Sequence, residues 1–198
     1  MTDLILWGDL ETTGLDPLHD VVLEVGLRVT DRHGEELHRV TELVWTPDWR
    51  SRLMRNEDVF GMHERSGLIH ELEDLTGDSR RRIHHLREMV AERLAEWVAE
   101  KVGDAKLPLA GNSVTLDRMF MLFHMEKLYN SMHYRIFDMS STREQLRLVN
   151  PELFAKLPPE PKAHRPQGDI DSSIKLWTFF NREFFWTAED DIQQEARA

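Results

Sequence analysis

Asp9 and Glu11 stand two residues apart, just after the apolar run Leu4-Ile5-Leu6 and just before Thr12-Thr13-Gly14. A run of this kind closed by Thr-Thr-Gly predicts a buried strand ending in a turn. Strand side chains alternate between faces, so both carboxylates project from one face, about 7 Å apart along the backbone. Two acids so placed repel each other unless a cation lies between them, and hard divalent cations such as Mg²⁺ take oxygen ligands. A bare D-x-E is more often a pair of exposed residues at a strand end, so the pattern gains weight only from further acids. Asp117 follows Gly111-Asn112-Ser113 in the first turn of an expected helix, and Asp169 opens the last one. A helix dipole favours an acid at such a place, and that local explanation serves for about half of cases. His164 precedes Asp169 by five residues in a proline-rich stretch and alone reads as a surface residue. In chain order the set is D-x-E, a lone Asp, then H-x-x-x-x-D.

The elements that must position these residues follow from patterning. Strands over 4–9, 21–30 and 37–45 form an expected antiparallel meander, the second of them β-branched and followed by a turn at 31–34. From 46 to 67, Pro47, Asn56 and Gly61 predict a loop with short helical pieces, and Phe60 and His63 are its candidate binding residues. Residues 79–101 carry the clearest helical period, through Ile83, Leu86, Val90, Leu94, Trp97 and Val98, and read as one core helix. A short strand at 107–110, a largely buried helix from 115 or 116 to about 129 and a strand at 133–137 come next. Ser140 or Ser141 caps a helix towards Leu148, with Glu144 placed as in a capping box. Five prolines between 150 and 168 exclude a long helix there and predict a mobile loop. The helical pattern returns from Asp169 to Phe185. Together these give an α/β domain over 1–186 with a mixed sheet, then a polar tail at 187–198.

With 198 residues the chain can bury a sizeable core. Its formal net charge of −11 argues against coating long nucleic acid by phosphate neutralisation. No apolar run approaches the roughly 20 residues of a membrane span. The absence of cysteine removes any disulfide frame or thiolate metal site and is compatible with a cytoplasmic protein.

Five segments in order resemble a known family: W-G-D-L-E-T-T-G-L-D-P at 7–17, M-H-E-R-S-G-L at 62–68, G-N-S-V-T-L-D-R-M-F at 111–120, H-Y-R-I-F-D-M-S at 133–140 and H-R-P-Q-G-D-I at 164–170. They are similar to the DEDD 3′-to-5′ exonucleases of the histidine variety, most of all to the oligoribonuclease branch. The resemblance implies a ribonuclease H-like fold with a five-stranded mixed sheet flanked by helices. It also implies a homodimer and hydrolysis of short oligoribonucleotides to mononucleotides. It makes Asp9, Glu11, Asp117 and Asp169 the ligands of two Mg²⁺ or Mn²⁺ ions and His164 the general base. Paired cations suit an in-line displacement at phosphorus.

The resemblance also implies substrate contacts: Leu15 as a wedge beside the terminal bases, His63 stacking or hydrogen-bonding near them, and Ser113, Arg135 and Ser140 as a cap over a 5′ phosphate. Tyr134 matches a tyrosine given to that cap by the partner subunit. Arg135 has the planar fork for phosphate and could equally form an internal ion pair, while Ser113 and Ser140 could equally cap helices. Two departures stand out. Pro166 and Gln167 replace a small and an apolar residue after the histidine, and the family's base-stacking tryptophan is missing from 56–62, where Phe60 is the candidate substitute. These departures favour one alternative, a general or proofreading-type single-strand exonuclease; a nucleic-acid-binding protein without turnover is a further alternative, against which the presence of all four acids and the histidine argues. Preference for RNA over DNA, length limit, cellular metal and biological role do not follow from the sequence.

Overall fold

The computed structural model describes residues 3–159 and 164–186; the expected tail at 187–198 and the middle of the proline-rich loop lie outside them. The fold is built around its first strand. β1 (Leu4–Thr12) pairs antiparallel with β2 (Val22–Asp31), and β2 with β3 (Glu36–Leu43), which is the expected meander. On the other side of β1, the short strands β4 (Leu109–Gly111) and β5 (Ile136–Asp138) add in parallel, giving the order β3-β2-β1-β4-β5. The result is a mixed five-stranded sheet with helices on both faces.

Alternation along β1 sorts the two layers. Leu6 points into a core shared with α5 (Arg87–Val102), α6 (Val114–His124) and α7 (Glu126–Asn130). Ile5 and Trp7 point the other way, into a core made with α8 (Met139–Val149) and α10 (Pro166–Phe184). A third cluster joins Val21 and Leu23 to α1 (Trp49–Leu53), α2 (Glu57–Arg65) and α3 (Leu68–Gly77).

Several boundaries differ from the sequence expectation, each for a tertiary reason. β1 runs three residues further, so both acids lie within the strand. The stretch after Gly67 folds as α3, whose Leu68, Leu72 and Leu75 are fully buried. The expected helix over 79–101 is broken into α4 (Ser79–His84) and α5, because the His85 carbonyl accepts from Trp45 N at 2.7 Å and Leu86 bridges to Trp45. Met125, with extended φ and ψ of 52°, likewise parts α6 from α7. The cap of α8 is Asp138, whose carboxylate accepts from Ser141 N, which corrects the assignment to Ser140 or Ser141. The proline-rich stretch contains the short α9 (Pro151–Phe154), and Pro166 opens α10 three residues ahead of Asp169. Proline suits this first helical position because its missing N–H has no intrahelical partner there.

Pro166 is buried against β2 at Gly26, where a Cβ would lie 2.4 Å from Pro166 Cβ. Gln167 beside it donates to Val40 O and Thr41 Oγ1, both at 2.9 Å, and accepts from buried Arg28. The two residues that depart from the family pattern therefore seat the start of α10 on the β2–β3 pair. Gly26→Ala should overpack this seat at a cost of about 1–3 kcal/mol, read by calorimetry as a fall of several degrees in Tm.

Candidate active site

The odd-numbered row of β1 is apolar at Ile5 and Trp7 and acidic at Asp9 and Glu11. α10 lies along the same row, so Ile170 packs against the apolar end while Asp169, one residue earlier, meets the acidic end. Asp9, Glu11 and Asp169 each offer a carboxylate oxygen, and the three oxygens lie within 4.8 Å of one another. Asp117 approaches from the β4 side. Past Trp7, β1 has no further pairing with β4, and Asp117 Oδ1 fills the gap by accepting from Leu10 N at 2.9 Å. Gly111 permits the chain to leave there: a Cβ on it would lie 2.7 Å from Gly8 O.

Crowding and burial raise the pKa of three of these carboxyls, Asp9, Glu11 and Asp117. Burial first, then the charges of Asp117, Glu11 and Asp169, pushes Asp9 well above the ordinary range. Glu11 is pushed up to about 8 by burial and by Asp169 and Glu24, against the opposing pull of Arg165. Burial raises Asp117 to about 7, although its bond from Leu10 N works the other way. The cluster is short of positive charge, and its donors are all oxygen. This donor set fits a hard divalent cation and offers nothing to a thiophilic one.

Asp9, Glu11 and Asp117 line a cleft of about 320 Å³ whose walls include Leu15, Val59, Met62 and Leu116. Leu15 stands at the lip, 75 % exposed, on a turn tied by Asp20, which accepts from Thr13 Oγ1 and Asp16 N, both at 3.0 Å. His164 precedes Arg165 and α10 with φ of 50°, a left-handed conformation that costs a non-glycine residue about 1 kcal/mol.

The other expected contacts sit in different places. His63 is fully buried: its Nε2–H donates to Thr12 O at 2.9 Å and its Nδ1 lies 3.7 Å from Glu11. The bond to Thr12 draws the ring beneath the acidic end of β1, out of the cleft, and burial holds its pKa below the ordinary histidine value. Phe60 packs against the cluster around Trp49, Leu53 and Leu68, leaving Asn56, Val59 and Met62 to face the cleft. Ser113 and Ser140 meet: the Ser113 N–H donates to Ser140 Oγ at 2.9 Å, and Ser113 lines the cleft. Arg135 and Tyr134 are exposed, with the guanidinium 5.4 Å from the tyrosine ring, and neither lines the cleft. Among the described residues Arg135 has no ion pair, so the internal-bridge alternative finds no support.

Sequence reasoning missed Glu24 and Arg165. Glu24 lies directly opposite Glu11 in the β1–β2 register and is 1 % exposed. The signal was available, since an acid inside an otherwise apolar central strand must find a partner.

Residues 6–177 match the model of the exonuclease family. The oligoribonuclease of Corynebacterium glutamicum is 35% identical over 185 residues, covering 92% of this chain and 80% of that protein. The oligoribonuclease of Streptomyces coelicolor is 35% identical over 199 residues, covering 100% of this chain and 95% of that one. Among solved structures, a zinc-bound complex of E. coli exonuclease I with single-stranded DNA aligns with a TM-score of 0.57 at 13% identity. It covers 93% of this chain, which spans only 41% of that structure, so the likeness speaks to fold alone. An acid row of this kind on an exonuclease sheet, in a chain that matches the family model almost from end to end, leaves one assignment: the chain belongs to the exonuclease family and is a 3′-to-5′ phosphodiester hydrolase.

Proposed function

We propose that this protein is a metal-dependent exoribonuclease that reduces short single-stranded oligoribonucleotides to 5′-mononucleotides in the cytoplasm. The observation that carries the reading is the convergence of Asp9, Glu11 and Asp169 within 4.8 Å, with Asp117 bonded to the adjoining backbone. These four residues would hold two divalent cations, Mg²⁺ or Mn²⁺, which supply charge stabilisation for in-line displacement at phosphorus. His164 takes the proton of the attacking water as general base. Leu15, Val59 and Met62 offer apolar surface to the terminal bases. Ser113, which lines the cleft, and Ser140, bonded to it in the adjoining hollow, would with Arg135 meet a 5′ phosphate.

The length of the accepted strand is the discriminating property. With labelled RNA and DNA of two to about twenty nucleotides, a capped short site gives the highest kcat/KM on the dinucleotide and a steep fall with length, whereas an open groove holds or raises the rate through added phosphate contacts. The wall formed by Val59 and Met62 in place of a stacking aromatic favours the second reading, a general single-strand exonuclease. Equal rates on a dinucleotide and on long DNA would establish it and remove the short-RNA assignment.

The same reading includes a homodimer. A surface hollow lined by Met119, Leu122, Tyr129, Tyr134 and Ile136, together with Thr115 and Arg118, is the largely apolar kind of surface that subunits cover. Sedimentation at micromolar protein should show a dimer, and a purely monomeric boundary would refute it.

A further inference from the structure

Arg165 makes more polar contacts to distant elements than the role of a loop residue explains. Its guanidinium meets Glu24 on β2 in a paired bond, Nε at 2.8 Å and Nη2 at 2.7 Å. It also meets Glu71 on α3, at 2.7 and 3.2 Å. A third contact, at 3.4 Å, reaches the Ser66 carbonyl between α2 and α3. Glu24 is sealed from solvent at 1 % exposure, and a buried carboxylate opposed by a forked guanidinium is a directional, charge-assisted pair. Arg165 is also the N-cap residue of α10, between His164 in its left-handed conformation and Pro166 wedged at Gly26. A strained φ persists only when the surroundings over-determine it. On the C-terminal side of His164, the Pro166 and Gln167 contacts fix the helix, and the Arg165 fork fixes the intervening residue.

We propose that Arg165, through its bonds to Glu24 and Glu71, is the positioning residue of the general base: it holds the residue after His164 to β2 and α3 and so presents the imidazole to the acid row. The inference rests on the reading of His164 as that base. Glu24 on β2 faces Glu11 on β1 across the strand pair, so the anchor of the base lies beside one of the acids. Shortening the arginine leaves His164 free to relax out of its left-handed conformation while the four acids keep their places on β1, α6 and α10.

The test is a double-mutant cycle on the full chain with Mn²⁺ and a labelled diribonucleotide, using Arg165→Met, His164→Ala and the double variant. His164→Ala should lower kcat by the roughly 10²–10⁴-fold expected for loss of a general base. Arg165→Met should lower kcat by about tenfold or more, with KM and the Mn²⁺ dissociation constant from calorimetry each within about threefold, and should cost nothing further in the absence of His164. Exposed Glu71 provides a variant that spares the buried pair: Glu71→Gln should lower kcat in the same direction and also lose its effect without His164. Arg165→Lys should restore part of the rate. Equal losses from Arg165→Met with and without His164, or a weakened Mn²⁺ affinity that accounts for the loss, would overturn the proposal. Full kcat in His164→Ala would instead remove the general-base reading, and the positioning role with it. If Arg165→Met does not fold, Glu71→Gln and Arg165→Lys complete the cycle by themselves, and an unchanged kcat in both overturns the proposal.

Discussion

Asp9→Asn should lower metal-dependent hydrolysis of a labelled diribonucleotide by about 10³-fold or more, because the cations are asked for several kcal/mol of transition-state stabilisation at about 1.36 kcal/mol per tenfold. Asp9 is the acid on which the others converge: Asp117, Glu11, Asp169 and Glu24 all act on its charge. The amide keeps the shape of the side chain and removes its negative charge. The substitution therefore separates cation binding from folding, and calorimetry with Mn²⁺ should show weakened binding in a protein with an unchanged far-ultraviolet spectrum. Robust metal-dependent turnover by Asp9→Asn would sink the assignment of the site.

The same cluster makes the stability of the cation-free protein depend on pH in a direction opposite to that of most carboxylates. Glu11 is raised from the ordinary 4.5 to about 8, and Asp117 from 3.8 to about 7. Below the ordinary values both carboxyls are protonated whether the chain is folded or unfolded. Between 4.5 and about 8 the folded chain holds the Glu11 proton and the unfolded chain does not, so stability contributed by that proton declines as pH rises through the window. In chelator, Tm should fall on going from pH 5 to pH 8.5. Saturating Mn²⁺ should flatten the profile and raise Tm most at the alkaline end, since ligand at a hundredfold over its Kd adds about 2.7 kcal/mol. Asp9→Asn should raise the Tm of the cation-free protein at pH 8, because it removes one member of a repelling set. A chelated protein that gains stability steadily towards pH 8.5 would contradict this account.

What was legible in the sequence is what local periodicity encodes. The alternation of β1 placed Asp9 and Glu11 on one face, and the three-strand meander followed from β-branched runs and a turn. Breaks made by distant partners were not legible. Nothing in residues 79–101 announces that the His85 carbonyl will be taken by Trp45 N, forty residues earlier in the chain. Asp138 lost its capping role in the reading because two serines stood where a cap was expected, and serine and aspartate compete on nearly equal terms. The four acids were singled out by type and order; Asp9, Glu11 and Asp169 share one tight group, while Asp117 is set at the strand edge by a backbone bond that has no sequence signature. His63 was recognised as belonging near the site, but the depth at which it sits depends on the carbonyl of Thr12, which no side-chain pattern reports.

The row that begins with Ile5 and Trp7 in the core and ends with Asp9 and Glu11 in the cleft has a bearing on how the molecule fails when heated. Asp169 and Ile170 are successive residues of one helix, the first at the acids and the second fully buried. A fluctuation that pulls Asp169 away from its partners must also withdraw Ile170 and the turns behind it from Trp7. Amides of 169–176 should therefore exchange with solvent only through opening on the scale of the whole fold, while those of the exposed turn carrying Leu15 exchange through local opening. The acid cluster has no private melting temperature; it persists for as long as the core does.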